Sequence, residues 1–429
     1  MTMDRKPLDE LGHFPLLQAI FGRRARRFGL GMVIPSGPLA FTSNSKPVPL
    51  SELEQALLVA AGTGVTGWNF GVPYSPGRPE EHGHFTVRYT GRTAPTAAGI
   101  GSPVLLYTDD SGIYLTNTRD VQPEEMLAYK GHAHEAERIM TVCQEYTTQI
   151  ADARLDIPAT PPHMLEPNLW MVNTPGSTLF MPVTDLSEEM MGLLGIAVGH
   201  GYMTVDPETG KPAGNLAPFV RSGLLDESKP FPLPNLEQLA YEGAVAALSF
   251  MAHNIVLTLQ AMGLGGLFFA GMNRFSVMGA LADDGIRGLG FRFMRDGRWP
   301  APNPVGLDGH YEALCPPYHD NMREAVEAFV AQKFGRGGAY DPDTPGPWQD
   351  SARVKGSVTP YSEEFVACMA ETMQYIHDKH GKVPGTVPTM LISGYVQAHH
   401  LDPEFYDAHY KPGAYLETHA EHMRRWHGE

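Results

Sequence analysis

Residues 19–28 read Ala19-Ile20-Phe21-Gly22-Arg23-Arg24-Ala25-Arg26-Arg27-Phe28. Guanidinium groups packed this closely suit a phosphate, because each offers a planar fork of donors and stays protonated. The same residues also suit an ordinary helix end. Leu16, Leu17, Ile20 and Phe21 fall on one face of a helix expected over 14–28, and arginines at its C-terminus complement the helix dipole. Taken alone the cluster favours the helix end, so its neighbours along the chain have to decide.

Beyond a Gly/Pro/Ser-rich loop at 29–49, Ser51 precedes a second helix and Glu54 stands three residues on, the spacing of a capping box. Leu53, Leu57 and Ala61 recur there at helical spacing, and the helix runs out into Gly62-Thr63-Gly64-Val65-Thr66-Gly67-Trp68-Asn69. Strand signals follow at 84–89, 104–108 and 113–116, the last two flanking the turn Asp109-Asp110-Ser111-Gly112. The pattern then predicts a long helix over 126–153, a strand over 177–183 and a proline-rich loop over 204–235. The longest helix is expected over 236–262, with Asn235 as its cap and Gly263 as its stop. Two more helices, 321–334 and 362–380, precede a His/Tyr-rich tail over 393–427. No internal repeat is visible.

The 429 residues can bury a sizeable core, with 42% hydrophobic and 19% charged. A formal charge of −16 opposes binding to nucleic acid or to anionic lipid. The apolar stretch 243–266 is interrupted by His253, Asn254 and Gln260, and reads as a buried core helix rather than a membrane span. Three unpaired cysteines and an N-terminus without an apolar leader point to a reducing, cytoplasmic compartment.

Three segments, in order, carry a resemblance. The apolar helix with Arg23-Arg24-x-x-Arg27 resembles the opening of the nitroreductase family of FMN enzymes, Ala25 replacing the usual serine. Arg92-Thr93-Ala94-Pro95-Thr96-Ala97-Ala98, followed by the 104–116 hairpin, resembles the loop of SagB-type azoline dehydrogenases, with Ala98 where glycine is usual. Glu242 to Met272, through Gly263-Leu264-Gly265-Gly266 and Ala270-Gly271, is similar to the family's central helix and the glycine-rich segment after it.

The resemblance implies an α+β fold, a central antiparallel sheet flanked by helices. Residues 1–299 would form the FMN-binding core, with inserted helices and loops around 120–235. Residues 300–429 would be an added helical extension, a lid or dimer arm. It implies FMN held between the subunits of a homodimer. Arg23, Arg24 and Arg27 would take the phosphate, with Arg292 or Arg298 as a further basic contact. Thr96 and its neighbours Pro95 and Ala97, or else Asn69, would meet the flavin ring, and the backbone at Ala270 and Gly271 would tune it. No catalytic acid or base is assigned.

The implied function is hydride transfer at flavin N5, oxidising or reducing a small or peptide-derived substrate in a biosynthetic pathway. The alternatives are an NAD(P)H-dependent reductase of nitro, quinone or enone groups, with transient nicotinamide binding, and a non-catalytic flavin-fold scaffold. A third reading, a metal-dependent hydrolase, would draw on His82 and His84, His132 and His134, His399-His400 and His419-x-x-His422. None has HExxH spacing, so these read as solvated or core histidines and no metal is expected. Cys315 reads as a buried thiol.

Overall fold

The computed structural model describes residues 6–74, 86–128 and 135–428. Eight successive residues, Thr178–Asp185, are all buried, so this strand must be covered on both faces. It is the fourth in chain order of a seven-stranded sheet: β1 (Val104–Asp109), β2 (Gly112–Thr116), β3 (Thr147–Ala151), β4 (Thr178–Asp185), β5 (Gly265–Phe269), β6 (Met390–Ile392) and β7 (Tyr395–His399). The strands lie in the order β5-β7-β4-β1-β2-β3, and β6 pairs with β4 further along the edge that β7 occupies. Every pairing is antiparallel.

Alternate side chains of a strand point to opposite faces, and the core divides accordingly. Leu105, Tyr107, Phe180, Val396 and Ala398 face one side, where they meet α2 (Glu52–Thr63) and α4 (Leu233–Met262). Val104, Leu106, Leu179, Met181 and Val183 face the other, towards α3 (Leu186–Gly199), α5 (Met322–Phe334) and α6 (Glu363–His380). Fully burying one such large apolar side chain contributes roughly 1.5–3 kcal/mol.

The central helix α4 turns a stripe inward, with Leu236, Ala240, Ala244, Leu248, Met251, Ile255 and Leu259 buried. By length and composition it could cross a membrane, and 50% of its most apolar window is buried inside the molecule. It stops at Gly263, whose φ of +87° suits a glycine C-cap. A Cβ at that position would lie 2.1 Å from the carbonyl oxygen of Thr418, so the tail packs directly on the helix end.

The expected α+β architecture, an antiparallel sheet with helices on its faces, is what the chain forms. Several local expectations differ. The helix expected over 14–28 spans only Leu16–Gly22 (α1), after a short helix Lys6–Gly12, and ends before the arginines. The stretch 126–153 is not one helix: residues 129–134 lie outside the described residues, and after helices Pro123–Ala128 and Glu135–Glu145 the chain enters β3, whose Thr147 and Ile150 suit an edge strand beside β2. The proline-rich stretch 204–235 holds a small sheet of Tyr202–Asp206, Lys211–Pro212 and Asp226–Pro232, and α4 starts at Leu233. Asn235 is therefore inside the helix and Pro232 is at its cap. Of the strand expected at 84–89, residues 84 and 85 lie outside the described residues; the strand itself is Thr90–Arg92, paired with Val65–Trp68.

The largest difference concerns residues 300–429. They do not form a helical appendage, because β6 and β7 lie within the central sheet and β7 separates β5 from β4. Nor is there a break near 299, since Arg292–Met294 pairs with Asn303–Leu307 across it. Short apolar runs such as Met390-Leu391-Ile392 carry no helical period, and among His and Tyr residues they read as tail.

Candidate functional site

From Arg23 onward the chain is extended, and it runs along the free edge of β5. Arg26 and Gly266 exchange both backbone bonds, at 3.2 and 2.8 Å. This edge pairing turns Arg26 and Phe28 into the core and leaves Arg23, Arg24 and Arg27 exposed. Arg26 had no expected role, yet it is the buried member of the cluster. Its guanidinium donates to Gln260 Oε1 (2.5 Å), Ala414 O (3.0 Å) and Gly22 O (3.3 Å), joining α4, the tail and the end of α1. Burial pushes its pKa down to about 10, although Tyr406 opposes the shift.

The three exposed arginines make no ion pair with a carboxylate among the described residues; Arg24 donates only to the carbonyls of Phe21 (3.2 Å) and Arg23 (2.8 Å). Arg24 and Arg27 line a cleft of about 540 Å³ that opens beside flat rings. Phe28 stacks on Phe405 at 4.3 Å and on Trp170 at 6.1 Å, and its backbone N–H donates to Tyr406 Oη at 3.2 Å. Tyr410 lines the same cleft and is half exposed. Phe405, Tyr406 and Tyr410 lie on or just beyond the helix Pro403–His409, so the tail forms one wall.

Asn69, Pro95 and Thr96 lie together in a second cleft of about 430 Å³, which shares no lining residue with the first. Arg92 opens the loop and holds its far side, donating to Gly101 O (3.0 Å) and Pro103 O (2.6 Å). Burial, with Arg88 and Arg119 nearby, pushes its pKa down to about 10. Arg88 and Arg119 are themselves paired with Asp120, each at 3.0 Å, and with Glu188. Ala97 sits on a turn against α4, where a Cβ on Gly243 would be 3.4 Å from its own. Ala98 takes φ +51°, ψ 14°, the left-handed conformation that glycine adopts without strain.

The remaining expected residues stand apart from both clefts. Ala270 is exposed. Gly271 is buried beneath the segment 165–168: its carbonyl accepts from Leu165 N at 3.0 Å, and a Cβ there would lie 2.0 Å from Asn168 Nδ2. Arg292 is committed to Asp308 and Glu312 (2.8 Å), and Arg298 to Asp296. Cys315 is a buried thiol whose pKa burial pushes up.

The histidines divide as well. His82, His84, His132 and His134 lie outside the described residues. His399 and His419 are buried, and that burial pushes each down to about 3, so they stay neutral. His400, His422 and His427, however, converge on Glu54, which the sequence marked only as a helix cap. Burial would raise the Glu54 carboxyl, but its contacts with these three rings hold it well below the usual carboxylate range. Sequence spacing concealed the group, since its members lie up to 373 positions apart.

No protein-family model matches the chain, and no curated protein is significantly similar to it. Among solved structures, a presumed nitroreductase from Ralstonia eutropha JMP134 aligns with 60% of this chain and 71% of its own. The identity is 14% and the TM-score 0.27. A likeness this slight carries no weight on its own, so the functional reading rests on the residues of this chain.

Proposed function

We propose that the chain is an FMN-dependent oxidoreductase whose arginine cleft receives the phosphate end of the cofactor. The observation that carries this is the combination at one cleft of Arg24 and Arg27, with Arg23 adjacent, all without carboxylate partners among the described residues, and stacked aromatic rings. The cations would bind a phosphate, and the rings offer flat apolar surface to a planar heterocycle. The cleft also lies within the size range of small-molecule sites, about 300–1,000 Å³. Ala25 supplies no hydroxyl at the rim, and Tyr406 and Tyr410 are the hydroxyl-bearing side chains that line the cleft. When bound, FMN supplies hydride acceptance or donation at N5.

The residues of the chain would position and desolvate. Arg23, Arg24 and Arg27 neutralise phosphate, while Trp170 and Phe28 exclude water. Asn69, Pro95, Thr96 and Ala97 would meet the ring from a second copy of the chain. Two features support such a homodimer. The two expected half-sites occupy separate clefts, and α1 exposes an apolar face on which Phe21 is 71% accessible. Substrates would be small or peptide-derived, with NAD(P)H as a transient reductant.

The test is the visible spectrum of the purified protein, before and after incubation with FMN. A flavin absorbance band that follows the protein supports the reading, and a colourless protein that takes up no FMN overturns it. Anaerobic bleaching by NADH or NADPH then identifies a reductase, and bleaching by an organic substrate alone identifies a dehydrogenase. Light scattering should give the mass of two 47.0 kDa chains, and Phe21→Glu should shift it to one.

A further inference from the structure

Glu54 is fully buried at the start of α2, and its two carboxylate oxygens have different surroundings. Oε2 closes the capping box, accepting from Ser51 N (2.6 Å) and Ser51 Oγ (2.8 Å). Oε1 faces three imidazole nitrogens: His422 Nε2 at 2.6 Å, His427 Nε2 at 3.2 Å and His400 Nε2 at 3.3 Å. His400 Nε2 and His427 Nε2 also face each other at 3.1 Å.

The opposite ring nitrogens determine where the protons are. His400 Nδ1 lies 2.9 Å from Val48 O, and His422 Nδ1 lies 2.8 Å from Met262 O. A carbonyl oxygen only accepts, so both Nδ1 atoms carry hydrogen and donate. In the neutral rings the Nε2 atoms therefore hold lone pairs, and these point at a carboxylate oxygen that also holds only lone pairs. A metal ion removes the conflict. It accepts every inward lone pair, while the Nδ1–H bonds to backbone carbonyls orient the rings in the way that supports metal-bound histidine elsewhere.

We propose that Glu54, His400, His422 and His427 bind one divalent transition-metal ion, Zn²⁺ foremost, as a closed structural site. The four ligand atoms lie within 4.8 Å of one another. Ligands at about 2.0–2.1 Å around a tetrahedral centre stand roughly 3.3 Å apart, close to three of the four separations above. An N₃O set of imidazoles and carboxylate suits zinc, and four protein ligands leave no open position for a substrate. That sets the site apart from a hydrolase centre. The ion would join the cap of α2, the exit of β7 and the helix His422–Trp426. It would thereby anchor the tail that carries Tyr406, Tyr410 and Ala414 to the wall of the arginine cleft.

The experiment uses the full chain without a histidine tag. Elemental analysis should find about one zinc per chain. After chelation, returning Zn²⁺ should raise the thermal midpoint, and Co²⁺ in its place should give the visible bands of a four-coordinate site. His422→Ala should abolish binding. Because that buried change endangers the fold, His427→Gln is the companion variant; it sits at 18% exposure near the surface. It should keep the parent circular dichroism spectrum and lose metal affinity by on the order of 100-fold or more. A folded chain that takes up neither Zn²⁺ nor Co²⁺, or a His427→Gln variant that binds like its parent, overturns the proposal. Flavin content is measured separately, so failure here is distinct from failure of the cofactor reading.

Discussion

At the scale of single residues, one arginine segment performs two jobs that mutation separates. Arg24 and Arg27 face the cleft, so replacing either by Ala should leave the thermal midpoint within a degree or two while weakening FMN binding. A lost charged hydrogen bond costs about 1.5–3 kcal/mol, or roughly 10- to 150-fold in Kd. Arg26→Ala should do the reverse, lowering stability by about 2–4 kcal/mol because it leaves Gln260 and the Ala414 carbonyl unpaired. Flavin titration and chemical denaturation of the three variants test this; equal stability loss in all three would refute the division. Ala98 is a second local case. Ala98→Gly relieves a left-handed alanine and should stabilise the chain by about 0.5–1 kcal/mol, read as a shift in denaturation midpoint.

At the scale of elements, the unexpected feature is the tail. β7 runs between β5 and β4, bonded to both, so the sheet cannot close without residues 395–399. A chain truncated after residue 299 should therefore not fold: it would leave β4 and β5 with bare edges and uncover Phe180 and Leu259. Proton exchange and circular dichroism of that fragment check the point, and a cooperative, native-like spectrum would restore the idea of a detachable extension. The capping box of α2 was legible because its signature is local, three residues apart. The conversion of 147–151 from helix to strand was not, because it depends on the free edge of β2, which belongs to a distant stretch.

At the scale of the whole molecule, buried charge makes stability depend on pH. Glu189 accepts from Ser102 Oγ, with Glu188, Asp185 and Arg88 around it, and burial pushes its pKa from the ordinary 4.5 up to about 8. A folded value above the unfolded one means that the folded chain holds a proton the unfolded chain releases. The resulting stabilisation is complete below about pH 4.5 and is lost as pH rises through 8. Glu189→Gln, which cannot ionise, should flatten that decline and gain stability on the order of several kcal/mol at pH 8 and above. Urea midpoints measured from pH 5 to 9 decide it; a parent whose stability rises across that interval would contradict the assignment.

The α+β class was implied by the resemblance, while period and punctuation in the chain were enough for the 104–116 hairpin, the long central helix with its Gly263 stop, and the helices beginning after Ser51, Asn321 and Ser362. Each depends on residues within a few positions of one another. Only the tertiary structure decided the rest. It sent Arg26 inward and Arg24 and Arg27 outward, because that choice follows from pairing with the edge of β5. It placed 390–399 inside the sheet, and it gathered Glu54 with His400, His422 and His427 from opposite ends of the chain. Contacts between residues hundreds of positions apart leave no spacing to read; they exist only once apolar burial has packed the helices against the sheet.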